Sequence, residues 1–390
     1  MGTTAKIWNP GVSSRILGVP IFMSTHPVRW GFLGTANIAR KNWQAIHNTG
    51  NSVLTAVASR DVARAQTFIG QCQSQVPLPT PPKALGSYEA LLESPDVDAV
   101  YIPLPTGLRK DWVVRAARAG KHVVCEKPCA PTAADLQEMI GACAQHRVQF
   151  MDGVMFVHSG RMERLRQVLA SGEAVGDIRR VTSQFSFRGD AAFFTDNIRS
   201  RSGLEPQGCV GDLGWYCITF ALEALQGRLP HTVIGRRLSH FSHAQSTDVI
   251  PSEFSAELLY EDGVSASFYC SFITEHQQWA SVSGTKGNLR VSDFVLPVFG
   301  AESSFEIDQA QFHVKGTQFD MESHRRLEIV PEHANNHPTA QETNLFRHFA
   351  DQVRSGKLNT HWPQRALNAQ RLLDACLDSA ARGSAPVAFR

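Results

Sequence analysis

The stretch Val28-Arg29-Trp30-Gly31-Phe32-Leu33-Gly34-Thr35-Ala36-Asn37-Ile38-Ala39 decides how this chain is read. An apolar run stops at a glycine, and a helix-compatible segment follows at once. The first strand and turn of a dinucleotide-binding unit look like this. The glycine permits a tight turn, and the next helix aims its first N–H groups at a pyrophosphate. The usual G-x-G-x-x-G/A spacing here reads Gly34, Ala36, Ala39. Alanine in the second place lets the backbone approach a phosphate, though less closely. Alone, the segment also suits an ordinary strand-to-helix turn, so its meaning rests on the text downstream.

Downstream, strands and helices alternate as far as Asp152. Ser52–Ala58, Ala99–Ile102, His122–Cys125 and Val148–Met151 are short apolar runs. Asp61, Ser87 and Thr132 stand where helix caps belong, and Gly120 stops the helix Leu108–Ala119. The proline-rich Gln75–Lys83 is a loop. This rhythm predicts a doubly wound parallel sheet covered on both faces. After Asp152 the period shortens to two. Ile178–Phe187 and Glu253–Leu259 alternate, Tyr260-Glu261-Asp262-Gly263 reads as a hairpin, and Val264–Phe272 follows. Ala280–Ser283, the turn Gly284-Thr285-Lys286-Gly287 and Asn288–Val291 repeat the scheme. Thr343–Arg354 and Arg365–Ala381 are amphipathic helices. The expected organisation is a tail at 1–24, a Rossmann domain at 25–152 and a C-terminal α/β domain at 153–390 with a large, mostly antiparallel open sheet.

Composition agrees with two globular domains. The chain has 390 residues, 43% hydrophobic and 19% charged, with a net charge of +2. These values exceed one hydrophobic core and point to no polyanionic partner. No apolar run approaches membrane-spanning length. The eight cysteines are scattered, without a CxxC pair or zinc spacing, and read as reduced thiols of a cytoplasmic protein; no metal site is expected. Residues 1–22 lack the sustained apolar core of a secretory leader, and Met23 is an alternative start.

Two sets of residues carry chemistry. Glu126-Lys127-Pro128 follows a strand directly, and in an open parallel sheet ligands bind at the carboxyl ends of strands. A lysine there meets the reactive end of a cofactor; the same tripeptide also suits a surface turn. Asp212 and Tyr216 are four apart in an otherwise apolar segment and share one face of a helix. A capping aspartate with a core tyrosine reads the same way.

Together the fingerprint, Glu126-Lys127-Pro128 and Asp212…Tyr216 resemble the glucose-fructose oxidoreductase / inositol dehydrogenase (Gfo/Idh/MocA) family. The resemblance runs from Val28 to about Val387 and includes Ile102-Pro103-Leu104-Pro105-Thr106 and the segment 373–380. Tyr216, where many members carry histidine, resembles the branch with dimeric dihydrodiol dehydrogenases and NADP-dependent xylose dehydrogenases. The resemblance implies that Lys127, Tyr216 and Asp212 are catalytic. It places Gly34, Thr35, Ala36, Asn37, Ile38, Ser59, Arg60, Leu104, Pro105, Thr106, Glu126 and Lys127 around the cofactor. Arg199 and Phe156 are substrate-side candidates, with His158 and Phe187 beside them. One departure stands out. Where the family has asparagine-x-x-histidine, this chain has Thr106 and Arg109.

The implied reaction moves a hydride between nicotinamide and a substrate carbon while a neighbouring hydroxyl exchanges a proton. A phenol has a reference pKa of about 10. Lys127 beside it is expected to lower that value and make Tyr216 the acid/base, with Lys127 itself as the alternative. After the second strand an NAD enzyme places an acid for the ribose 2′-OH. Here Ser59-Arg60 stands there, which favours NADP over NAD. The expected activity is oxidation or reduction of a sugar, polyol or cyclic diol. A redox-neutral nicotinamide-dependent glycosidase and a non-catalytic dinucleotide sensor are the alternatives. Phe193 and Phe194, between Asp190 and Asp196, suit an aromatic diol or a sugar face. A homodimer is expected, on the ground that the second sheet leaves an apolar face uncovered.

Overall fold

Trp30, Phe32, Val100, Tyr101, Val123 and Val124 are all fully buried, because the strands that carry them are covered on both faces. These strands belong to a computed structural model that describes residues 26–389; the expected tail lies outside the described residues. Six strands, β1 (Val28–Leu33), β2 (Ser52–Ala58), β3 (Lys83–Leu85), β4 (Ala99–Ile102), β5 (His122–Cys125) and β6 (Phe150–Asp152), form one sheet. Their order is β3-β2-β1-β4-β5-β6, and every neighbouring pair is parallel. The order reverses between β1 and β4, which opens a crevice at their carboxyl ends. Helices α1 (Asn37–Asn48), α2 (Val62–Gln75), α3 (Tyr88–Glu93), α4 (Thr106–Arg118) and α5 (Ala133–Gln145) cover the sheet. Asp61, Ser87 and Thr132 cap α2, α3 and α5 as their positions predict.

The second sheet has nine strands: β7 (Ile178–Arg188), β8 (Thr232–Phe241), β9 (Ile250–Leu259), β10 (Ser265–Ser271), β11 (Ile273–Gly284), β12 (Asn288–Val291), β13 (Ser303–Lys315), β14 (Gln318–Val330) and β15 (Val387–Ala388). Their order is β14-β13-β12-β11-β7-β10-β9-β8-β15. All pairs are antiparallel except β7 with β10, so the sheet is mixed and mostly antiparallel. The helices after β6 are α6 (Gly160–Ser171), α7 (Ala191–Asp196), α8 (Trp215–Ala224), α9 (Gln341–Arg354) and α10 (His361–Ala381). Helices α6, α8 and α10 pack on one face, over Val181, Phe185, Ala266, Phe268, Ala280 and Val282. Helix α9 returns to the first sheet, where Phe346 meets Trp30 edge-on at 5.0 Å.

The outer face differs from expectation. It presents Thr182, Gln184, Ser255, Glu257, Ser267 and Tyr269 beside Ile234 and Trp279, so it is mixed and mostly polar. Strand alternation predicts burial of one face only, and here the outward positions are hydrophilic. Exposed apolar side chains lie on the β13–β14 hairpin and, most of all, at Val298 and Phe299. Among the described residues no helix is long and apolar enough to cross a membrane. All eight cysteines are buried and unpaired.

Candidate active site

The cofactor side is built around Gly34. Its φ is +126°, a conformation that favours glycine, and a Cβ there would sit 3.2 Å from Leu104 Cδ2. Ala36 stands at the N-cap of α1 and offers no side-chain acceptor, so the Asn37 and Ile38 N–H groups face an anion site while Ala39 N–H donates to Ala36 O. Asn37 and Ile38 are exposed beside it, and Thr35 and Ala36 are half-buried. These features fit a bound pyrophosphate.

At the end of β2, Ser59 is buried and its N–H donates to Leu85 O at 3.1 Å. Asp61 is engaged as the cap of α2, where it accepts from Ala63 N–H at 2.9 Å. Arg60 is exposed. Burial pushes the Tyr88 phenol up, while the charges of Arg60 and Arg64 act on it in the opposite sense. Two guanidinium groups therefore flank Tyr88 at this corner. The sequence reading named Arg60 and missed Arg64 and Tyr88; the four-residue spacing along α2 is the signal that would have found Arg64.

Thr106 and Arg109 turn inward. Thr106 is fully buried; its hydroxyl donates to Glu205 Oε2 at 2.5 Å and its N–H to Glu205 Oε1 at 3.1 Å. Arg109 Nε donates to Leu104 O at 2.6 Å, and its Nη1 donates to Glu126 O at 2.9 Å and to Pro128 O. Thr106 thereby ties the start of α4 to Glu205. Arg109 fastens the Leu104 segment to the Glu126-Lys127-Pro128 turn, and Leu104 lies nearest Gly34, followed by Pro103 and Tyr88.

Glu126 is also buried. Its Oε1 accepts from Tyr101 Oη at 2.6 Å and its Oε2 from the Lys127 N–H at 3.2 Å. Lys127 Nζ donates to Asp212 Oδ1 at 2.8 Å and to Asp212 O at 2.7 Å. Arg199 Nε lies 2.8 Å from the other carboxylate oxygen. Asp212 sits in a π-helical turn, Val210–Gly214, which runs into α8. That widened turn brings Asp212 and Tyr216 to Lys127 from one chain segment, although they do not share a regular helix. Burial disfavours the Asp212 carboxylate. The charges of Arg199 and Lys127, and hydrogen bonds from both, outweigh this and hold its pKa well below the usual range.

Tyr216 corrects the sequence expectation. Lys127 Nζ lies over the Tyr216 ring, 4.5 Å from its centroid, while the phenol oxygen meets Met155 Sδ at 3.7 Å. Burial, then the charges of Glu126 and Asp212, push the phenol well above its ordinary pKa. Phe156 is 2% exposed and packs beside the Tyr216 ring, with centroids 6.3 Å apart. His158 pairs with His348 at 3.2 Å. Phe187, Phe193 and Phe272 pack together at 5.1 to 5.3 Å, and Phe194 joins them through Phe193. This cluster holds the segment that delivers Arg199. Among the described residues no group of three or more His, Cys, Asp or Glu side chains is placed to hold a metal ion.

Residues 28–154 match the model of an oxidoreductase family with an NAD-binding Rossmann fold, Gfo/Idh/MocA, and residues 162–290 match the family's C-terminal domain. The chain is 32% identical to D-xylose 1-dehydrogenase (NADP(+)) 2 of Haloferax volcanii, over 91% of this chain and 98% of that protein. It is 32% identical to trans-1,2-dihydrobenzene-1,2-diol dehydrogenase of Bos taurus, over 68% of this chain and 74% of the relative. A 3-ketoreductase mutant from Actinomadura kijaniata, solved with TDP-benzene and NADP, superposes with a TM-score of 0.74 at 25% identity, covering 90% of this chain and 98% of that one. With its parallel Rossmann sheet and its nine-stranded companion, the chain belongs to the Gfo/Idh/MocA family of NAD(P)-dependent oxidoreductases.

Proposed function

We propose that this protein is an NADP-linked dehydrogenase or reductase acting at a hydroxyl-bearing carbon of a sugar, polyol or cyclic diol. The observation that carries the reading is the Lys127 ammonium, anchored on Asp212 and lying over the Tyr216 ring at the carboxyl end of β5. The relatives named for xylose and a dihydrobenzenediol support the substrate class, and Arg60 and Arg64 support NADP.

A bound nicotinamide supplies hydride transfer at its C4. The residues supply the rest. With two of its three N–H bonds on Asp212, Lys127 keeps one donor for a substrate oxygen. Tyr216, held neutral by burial, is suited to act as an acid. In the reductive direction the carbonyl carbon gains hydride and the carbonyl oxygen gains the Tyr216 proton. Lys127 and Arg199 balance the phenolate this leaves, until it regains a proton from solvent. In the oxidative direction Tyr216 must first ionise, which its environment opposes.

The test is a panel of aldoses, polyols, cyclic diols and their ketones, run with NADP(H) and NAD(H) and followed by nicotinamide absorbance. Stoichiometric absorbance change with one class supports the reading. Product formation without net absorbance change points to the redox-neutral glycosidase, and dinucleotide binding without turnover points to a sensor.

A further inference from the structure

Helix α4 starts without a cap from its own segment. Pro105 stands at the N-cap and makes no side-chain cap bond. The first N–H groups of a helix need acceptors, and here the acceptor comes from far along the chain. Glu205 Oε1 accepts from Thr106 N–H at 3.1 Å, and its Oε2 accepts from the Thr106 hydroxyl at 2.5 Å. One residue on, Gly107 N–H donates to Leu204 O at 3.1 Å. The approach leaves no room for a side chain, since a Cβ on Gly107 would stand 2.8 Å from Gly203 O. The carboxylate also meets the positive end of the helix.

Gln207 makes a second fastening. It is 3% exposed, and its Nε2 donates to Pro131 O at 2.8 Å and to Ala130 O at 3.3 Å, on the loop that follows Lys127-Pro128. The segment 203–207 is thus tied to the chain leaving β4 on one side and to the chain leaving β5 on the other. Just before it lies Arg199 and just after it lies Asp212, the two groups that pair at 2.8 Å beside Lys127. The charge of Glu205 acts on Arg199 in the same sense as that of Asp212. A buried carboxylate is costly unless it is paired, and a serine or asparagine would cap Thr106 without that cost. The charge at Glu205 therefore calls for a reason beyond capping.

We propose that Glu205 is a positioning residue for the reaction at Lys127. By holding Thr106 it fixes the segment 199–212 against the carboxyl ends of β4 and β5, so that Arg199 and Asp212 keep the Lys127 ammonium aimed at the reacting oxygen. This rests on the dehydrogenase reading of the Lys127 site. Glu205 acts through Thr106 on one side and through the Arg199–Asp212 pair on the other. Losing its carboxylate displaces that pair without removing it, and a displacement of about 1 Å in a site costs on the order of 10²-fold in rate.

The test separates position from folding. Glu205→Ala should lower kcat about 10- to 100-fold and leave the Kd for NADP(H) within about threefold of the parent, because Arg109 still holds the Leu104 segment. Glu205→Gln keeps an acceptor for Thr106 N–H and should return kcat to within about fivefold of the parent. Thr106→Val added to Glu205→Ala should cost no more than Glu205→Ala alone, as members of one unit do. A readout free of any substrate is competitive acylation by a small anhydride, followed by peptide mass spectrometry, with exposed Lys315 as the reference. The Lys127 side chain is 9% exposed and bonded twice to Asp212, so in the parent it should label slowly. In Glu205→Ala it should label about threefold faster or more, with an unchanged circular-dichroism spectrum. A parent-like kcat in Glu205→Ala, a loss that falls on the NADP(H) Kd instead, or unchanged labelling of Lys127 would each overturn the proposal. If the parent turns over no member of the substrate panel, the dehydrogenase reading fails, and the labelling still decides whether Glu205 holds the site.

Discussion

Lys127 and Tyr216 meet face-on: the ammonium lies 4.5 Å from the ring centroid, and the phenol oxygen is turned to Met155. The cation thus meets the face of the ring rather than the phenol oxygen. Asp212 draws the ammonium through two acceptors, its carboxylate and its carbonyl. Burial, then the charges of Glu126 and Asp212, push the phenol up.

Tyr216→Phe keeps the ring and the cation contact and removes only the hydroxyl. Carbonyl reduction should fall about 10²–10⁴-fold, with dinucleotide affinity unchanged. In the parent, reduction should be flat through neutral pH and decline only where the raised phenol ionises, above about pH 10. Oxidation should climb over the same alkaline range. Both limbs should vanish in the variant. An unchanged pH–rate profile after Tyr216→Phe would assign the proton to Lys127.

Lys127→Ala should remove most turnover and leave dinucleotide binding intact, because its contacts run to Asp212 and Tyr216. It also leaves Asp212 with Arg199 as its remaining cation. The carboxyl is a depressed group, so its stabilising effect is present above its unfolded pKa of about 3.9 and fades as pH falls through the lower folded value. The parent should show no loss from this group between pH 7 and 4. Asp212→Asn should weaken activity at every pH in that window, with no new acid limb. A limb near pH 5 in the parent that disappears in the variant would contradict the charge balance.

Much of this was legible in the sequence, and the gaps have physical causes. Buried parallel strands read as short apolar runs, so Val28–Leu33 and His122–Cys125 fall where the pattern puts them. Glu126-Lys127-Pro128 carries its own strand context. The pairing of Arg199 with Asp212 obeys no period, since it depends on how the aromatic cluster at Phe187 and Phe193 folds the intervening chain. The β13–β14 arm escapes notice because its alternation changes phase. Phe305 and Ile307 mark the buried side at odd positions, whereas Phe312 and Val314 mark an exposed apolar side at even ones. A reader of periodicity sees two conflicting strands.

Arg109 gives a prediction about stability. It is 5% exposed and donates to three carbonyls, of which Pro128 O also accepts from the Thr106 hydroxyl and Glu126 O from the Cys125 thiol. Removing the guanidinium leaves buried acceptors unsatisfied, at about 1–3 kcal/mol each. Arg109→Ala should destabilise the protein by roughly 1–3 kcal/mol, chiefly from the unpaired Leu104 carbonyl, and raise the KM for cofactor as the Leu104 segment loosens. Arg109→Lys, which cannot reach three acceptors, should recover only part of the loss. Thermal unfolding and denaturant titration measure it, and a variant within 1 kcal/mol of the parent would mean water replaces the side chain.

The last prediction concerns the corner at Arg60 and Arg64. Asp61 is committed to capping α2, so it is not free to receive a ribose 2′-OH. Two guanidinium groups beside Tyr88 instead suit a 2′-phosphate, which carries charge and three acceptor oxygens. A charge-assisted contact of this kind contributes about 1.5–3 kcal/mol, equivalent to roughly 10- to 150-fold in affinity. Arg60→Ala should weaken NADP by about that factor and NAD by much less. Arg60→Asp should go further, because it adds repulsion to the loss and offers an acceptor to a free ribose. Arg64→Ala should weaken NADP less than Arg60→Ala if it contributes charge alone, and equally if it makes its own phosphate contact. Raising the salt concentration should shrink every one of these differences, since both side chains are solvent-exposed. Titrations of NADP, NAD and 2′,5′-ADP, followed by fluorescence or calorimetry, separate the cases. Equal losses for NADP and NAD in Arg60→Asp would remove the 2′-phosphate from this corner.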